Sequence, residues 1–212
     1  KRYTVNDDTI NIWSQQAALN WGLPLIASNK GGLSYARGDA LISGPTGNSI
    51  EAQVTELLAK NTLQSGDLVL INGGLADIMT IVANDGFSQV AFDKANAAGV
   101  ALGAQVLRLV NGGAKRVLAV GLYPLGLSPM GTASGQSTNF TNITLAFNNA
   151  FKLSMVNLGA NVLYLDSAQY YGQVYYTPTN FPPLNNSVTE ACITVLVTDC
   201  TPATIVPGYD YN

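Results

Sequence analysis

Two hydrophobic rhythms alternate along this chain: apolar residues spaced three to four apart, and unbroken apolar runs of four or five. The first marks amphipathic helices and the second marks buried strands, so their alternation predicts a parallel sheet covered on both faces by helices. Asp8 to Gly22 sets Ile10, Trp13, Ala17 and Trp21 on one face and ends at Gly22 and Pro24, which predicts a first helix. Leu23 to Ala27 is a candidate short strand. Ser49 opens a helix carrying Ile50, Val54, Leu57 and Leu58, and Leu68-Val-Leu-Ile71 then reads as a strand buried on both sides, leading into Asn72-Gly73-Gly74. Lys94 to Asn111 predicts a long helix stopped by Gly112-Gly113, followed by a strand from Arg116 to Gly121. Phe140 to Leu158 repeats the helical pattern with Gly159 as its cap, and Asn161 to Leu165 is the last predicted strand. Beyond Asp166 the tyrosines Tyr170, Tyr171, Tyr175 and Tyr176 and the late prolines predict loops.

Length and composition fit one domain with ample core material: 212 residues, 47% hydrophobic and only 11% charged. Ten Lys and Arg residues are scattered, in no run longer than two, within a net charge of -3, so no basic stripe exists to follow phosphates, and nucleic acid is not an expected partner. No apolar run approaches the roughly 18 to 20 residues that a membrane-spanning helix needs. The start at Lys1 rather than Met is read as a sign that something upstream has been removed or left out. Cys192 and Cys200 bracket a short segment and are read as a disulfide, with a pair of free buried thiols as the alternative. The low charge and the richness in Asn, Thr and Gly favour a secreted, periplasmic or cell-surface setting. Asn139-Phe-Thr, Asn142-Ile-Thr and Asn185-Asn-Ser match the glycosylation sequon.

Chemistry is constrained first by what is missing. There is no histidine, the usual proton shuttle beside a serine nucleophile and the commonest nitrogen ligand for a metal. The carboxylates are too scattered for a metal cage, and neither metal nor cofactor is expected. Gly44-Pro-Thr-Gly-Asn-Ser lacks the lysine of a phosphate-binding loop and reads as a turn. Ser34, within Gly32-Leu-Ser-Tyr-Ala36, imitates a nucleophile elbow without the strongly apolar strand that should precede one. Asp77 reads as a helix N-cap rather than an acid or base, and Gly38 and Gly73-Gly74 each have a plain reading as turn glycines.

Serial order nevertheless carries a resemblance. Gly32-Leu-Ser-Tyr-Ala-Arg-Gly38-Asp-Ala resembles the second block of the SGNH or GDSL hydrolases. Asp67-Leu-Val-Leu-Ile-Asn-Gly-Gly-Leu-Ala-Asp77-Ile resembles the third, and Gly113 through Pro124-Leu-Gly-Leu-Ser-Pro129 resembles the strand and turn of the secreted esterase and lipase branch. The resemblance implies a three-layer, flavodoxin-like domain over residues 1–212, incomplete at both ends. It also implies an acyl-enzyme mechanism on an ester or lipid substrate, with Gly38 as an oxyanion donor. Two blocks, Gly-Asp-Ser and Asp-x-x-His, are missing, and Ala76 stands between Gly74 and Asp77 where the third block has Asn. The chain alone is therefore expected to be inactive.

The family's first strand lies mid-sheet, so its absence predicts a vacant position filled by a separate N-terminal peptide, a strand-donating partner or a rearranged sheet. The alternative function is a non-catalytic structural or binding protein that keeps the fold and assembles by strand exchange. A carbohydrate-binding module using the late tyrosines is a third.

Overall fold

A computed structural model describes residues 11–44, 47–182 and 202–204. Cys192, Cys200 and Asn185, the Asp8–Ile10 start of the first predicted helix, and Pro45-Thr46 lie outside the described residues. The chain forms two compact units, Lys1–Gly38 with Gly172–Asn212, and Asp39–Tyr171.

The larger unit is α/β, with a three-stranded parallel sheet and helices around it. Its strands β1 (Val69–Asn72), β2 (Val117–Val120) and β3 (Val162–Leu165) lie side by side in chain order. Register sets Leu70 beside Leu118 and Leu118 beside Leu163; the next row is Asn72, Val120 and Leu165. Helix α2 (Ile50–Lys60) starts where predicted because the Ser49 hydroxyl accepts from the Ala52 N–H at 3.2 Å. Helix α3 (Leu75–Asp85) follows β1 directly. Helix α4 (Gln89–Asn111) begins five residues before Lys94 because the Ser88 hydroxyl caps Ala91 N–H. Gly112 and Gly113 stop it as expected. After β2 come the short α5 (Pro129–Ala133) and then α6 (Ser137–Ser154), which ends before a 3-10 segment in which Gly159, at φ +60°, breaks the helical path.

Both crossovers, from β1 to β2 and from β2 to β3, advance in the same direction. Right-handed connections therefore put α4 and α6 on one face, where they pack together. Gly99 and Gly103 permit the approach: a Cβ at Gly99 would overlap the Phe147 carbonyl oxygen, and one at Gly103 the Ser154 side chain. Phe147, Phe151, Leu102, Val106 and Ile143 fill the core between these helices and the buried strand residues Val69, Ile71, Val117 and Ala119. Burial of the strands on both sides is met on that side only. Leu70, Leu118 and Val120 are half-buried, and Leu163 keeps 69% of its surface exposed.

The outer edge of β1 is unpaired among the described residues. Val69 N–H donates to the Arg116 carbonyl at 2.9 Å, so alternation along a parallel ladder turns the backbone groups of Leu70 and Asn72 the other way. Asn72 at this edge is exposed, whereas Leu70 is half-buried. Among the described residues no fourth strand adjoins the sheet, and the strand expected at Leu23 to Ala27 does not form. Among the described residues that segment pairs through an isolated bridge between Ala27 and Ser34.

In the smaller unit, α1 (Trp13–Leu19) is shorter than predicted, ending at Asn20, with Gly22 at φ +70° in the turn beyond. Gln15 ties it down by accepting from Ile12 N–H and donating to the Leu25 carbonyl. Its predicted core role is not met: Trp13 is exposed and Trp21 is 66% exposed. The tyrosines after Asp166 also depart from expectation, forming helix α7 (Ser167–Tyr176) rather than loop. Their run contains no proline to break it, and the Asp166 carboxylate accepts from Gln169 N–H at the first turn.

Gly99→Ala tests the close contact between α4 and α6. Alanine gains about 1 kcal/mol of helix propensity, but overpacking against a backbone oxygen costs about 1–3 kcal/mol. The urea midpoint is expected to fall, and a rise would refute the contact.

Candidate functional site

Open parallel sheets bind ligands beyond the carboxyl ends of their strands. Here that rim is made by Asn72-Gly73-Gly74, Gly121 to Pro124, and Asp166-Ser167. Gly74 has φ +105° and is the N-cap of α3, and a Cβ on it would run into the Phe147 ring. A side chain at Gly73 would strike Ile50. These glycines therefore do more than permit a turn: they let the chain leave β1 hard against the core.

Asp77 is not the N-cap. It sits at the third position of α3, and its two carboxylate oxygens accept from Ile42 N–H at 3.3 and 3.2 Å. Burial raises its pKa above the ordinary 3.8, with the hydrogen bonds from Ile42 and from its own backbone N–H pulling the other way. Asp77 thus clamps the Ala40–Ile42 segment onto α3. Ala76 beside it is half-buried and carries no polar group.

Asn148, the residue that most firmly fixes the rim, is not recognisable from periodicity. It lies in the apolar stripe of α6 next to Phe147, 5% exposed, where its Oδ1 accepts from Leu122 N–H at 2.8 Å and its Nδ2 donates to the Leu122 carbonyl at 2.7 Å. A single amide thereby satisfies both main-chain groups of the residue after Gly121. An Asn on an otherwise apolar helix face was the only signal available. The Pro-Leu-Gly turn is held further by the Ser137 hydroxyl donating to Gly126 O and by the Ser128 hydroxyl, which donates to Leu125 O and caps Gly131 N–H.

Three aromatic rings border the rim. Tyr123 stacks on Tyr171 with ring centroids 4.9 Å apart, and burial raises its phenol pKa. The Tyr164 hydroxyl fills the space that a side chain at Gly121 would need, and burial followed by the nearby Asp166 charge pushes its pKa up to about 12. Both phenols therefore stay protonated at neutral pH. The Ser167 hydroxyl donates to the Gly121 carbonyl and serves as a structural strut.

Gly38 lies in an exposed turn of the other compact unit, and the left-handed residue there is Asp39, at φ +57°. The structure brings Gly74, Ala76 and Asp77 together in one unit. The Ser34 elbow does not form, since no strand precedes it and its backbone groups bond to Ile26 and Ser28. Among the described residues no group of three or more His, Cys, Asp or Glu side chains is placed to hold a metal ion, and no helix is long and apolar enough to cross a membrane. No protein-family model matches the chain, and no curated protein matches it.

Asn148→Leu is expected to lower stability by roughly 2–5 kcal/mol in urea unfolding, since it strands two buried main-chain groups; a loss within experimental error would show the clamp to be dispensable. Asp77 supplies a pH signature. Its folded pKa lies above 3.8, so its contribution to stability falls as pH rises from 3.8 through the folded value. Asp77→Asn, which keeps an acceptor for Ile42, is expected to remove that slope. The stability gap between wild type and variant should favour wild type more at about pH 4 than at about pH 7, and a pH-independent gap would contradict it.

Proposed function

We propose that this chain carries the scaffold of an SGNH-type ester hydrolase, with a three-layer, flavodoxin-like sheet in the assembled form, and that the polypeptide by itself does not turn over esters. One observation carries the reading. Two of the family-like segments, in family order, supply strands β1 and β2 of an in-register parallel sheet and the turns at their carboxyl ends, and among the described residues the edge of β1 beside Asn72-Gly73-Gly74 is open where a further strand would add. The absence of histidine leaves a serine nucleophile without its usual base, so hydrolysis needs groups from outside these residues. In the completed assembly a serine would attack the ester carbonyl, a histidine would accept its proton, and Gly38 N–H would stabilise the oxyanion. Ala76 weakens that stabilisation, because an asparagine there would offer another donor. The reading needs no cofactor or metal. It assigns the chain to the secretory or extracellular space, an ester or lipid as substrate, and a separate N-terminal peptide or strand-donating molecule as partner.

The same open edge favours a second reading, a non-catalytic protein that assembles through strand exchange. Intact mass of native material followed by a p-nitrophenyl ester assay separates the two. Extra peptide mass with turnover, increased tenfold or more by Ala76→Asn, is the expected result. A single inert species or a polymer supports the second reading, and turnover by the unaccompanied chain overturns the first.

A further inference from the structure

We infer that Asn142 is the N-glycan acceptor on α6 and that Asn139, in the sequon immediately before it, is not. Both motifs are complete in sequence, Asn139-Phe-Thr141 and Asn142-Ile-Thr144, so the unfolded chain offers both and the distinction lies in which glycan the folded, secreted molecule can carry. Asn139 is half-buried in the first turn of α6, and its side-chain amide donates to Gln136 Oε1 at 2.6 Å. A sugar on that nitrogen would displace the bond and crowd the helix start. Asn142 faces solvent on the opposite side from Phe140, Ile143 and Phe147, and its amide has no partner among the described residues. An N-linked sugar there extends into solvent without displacing a hydrogen bond or a core contact among the described residues.

The motif's own threonine fixes the timing. Thr144 is fully buried and its hydroxyl donates to the Phe140 carbonyl at 2.7 Å, so a transferase cannot read it in the folded chain. Transfer therefore precedes folding. The Asn142 amide nitrogen bonds to the anomeric carbon of a polyprenyl-pyrophosphate-linked oligosaccharide, the sugar–phosphate bond breaks, the pyrophosphate leaves with the electron pair, and the amide proton goes to the transferase base. Folding then seats Ile143 and Thr144 in the core and leaves the glycan outside.

The inference rests on the secretory route proposed above, and the test separates the two. The full chain is secreted from yeast behind a cleavable signal, treated with peptide-N-glycosidase in heavy-oxygen water and mapped residue by residue. Most molecules are expected to carry labelled aspartate at 142 and none at 139. Asn142→Gln should lose one glycan step on a gel while keeping its urea midpoint. A secreted, folded chain unlabelled at 142, or labelled at 139 in its place, overturns the assignment. Label at 142 in yeast with sugar-free native material upholds the acceptor and overturns the secretory route instead.

Discussion

The larger unit depends on how closely α6 can approach α4. Gly99 and Gly103 remove the side chains that would hold the helices apart, so the backbone of α4 meets the Phe147 carbonyl and the Ser154 side chain of α6. That approach places Phe147 and Phe151 on the axis of the core. From there the Phe147 ring closes on Gly74 at the exit of β1, and Phe151 packs edge-on to Tyr164 of β3 at 5.9 Å. The rim geometry is thus inherited from a helix pair rather than set by the loops themselves. A methyl group at either glycine would be felt at the ends of the strands, because close-packed interiors pass on small displacements.

The same pair explains the asymmetry of the sheet. Two right-handed crossovers running in one direction put both helices on one face, and the apolar rows through Leu118 and Leu163, and through Val120 and Leu165, are left to the other. Those rows have the composition of strands buried on both sides. Their composition and their surroundings disagree, and so does the unpaired edge of β1: a parallel strand of Val, Leu and Ile is seldom an edge strand. Both mismatches fall where a doubly wound sheet would continue.

Legibility followed the strength of local signals. The strands at Val69, Val117 and Val162, and the helices containing Val54, Val106 and Phe147, were readable because period and caps agreed. The true start of α4 was hidden because Ser88 caps a weakly apolar first turn, Gln89-Val-Ala-Phe. Leu23 to Ala27 had strand composition without a neighbouring strand to supply hydrogen bonds, and composition alone does not make a ladder. The tyrosines after Asp166 read as loop because prolines follow them, yet the breakers start only at Pro178, after α7 ends. Asp77 looked like a cap because an acidic residue near a helix start often is one. Gly74 took that position instead, and the carboxylate was used across the fold on Ile42. Asn148 left almost no trace, because its role depends on Leu122, remote in sequence.

What the rim lacks is as ordered as what it holds. Its polar groups are committed to structure: Asn148 to Leu122, Asp77 to Ile42, Ser167 to Gly121, Ser128 to Leu125 and Gly131. Reactive sites in enzymes usually leave a nucleophile or a base with a polar contact to spare, at some cost in stability. Here the Ser128 and Ser167 hydroxyls are struts and the phenols of Tyr123 and Tyr164 are held neutral by burial. The rim is lined by glycines and braced by hydrogen bonds to its own main chain. Its constraint is positional: at Gly73 and Gly74 any side chain larger than hydrogen would collide with Ile50 or with the Phe147 ring, so the exit of β1 is fixed by the core beneath it.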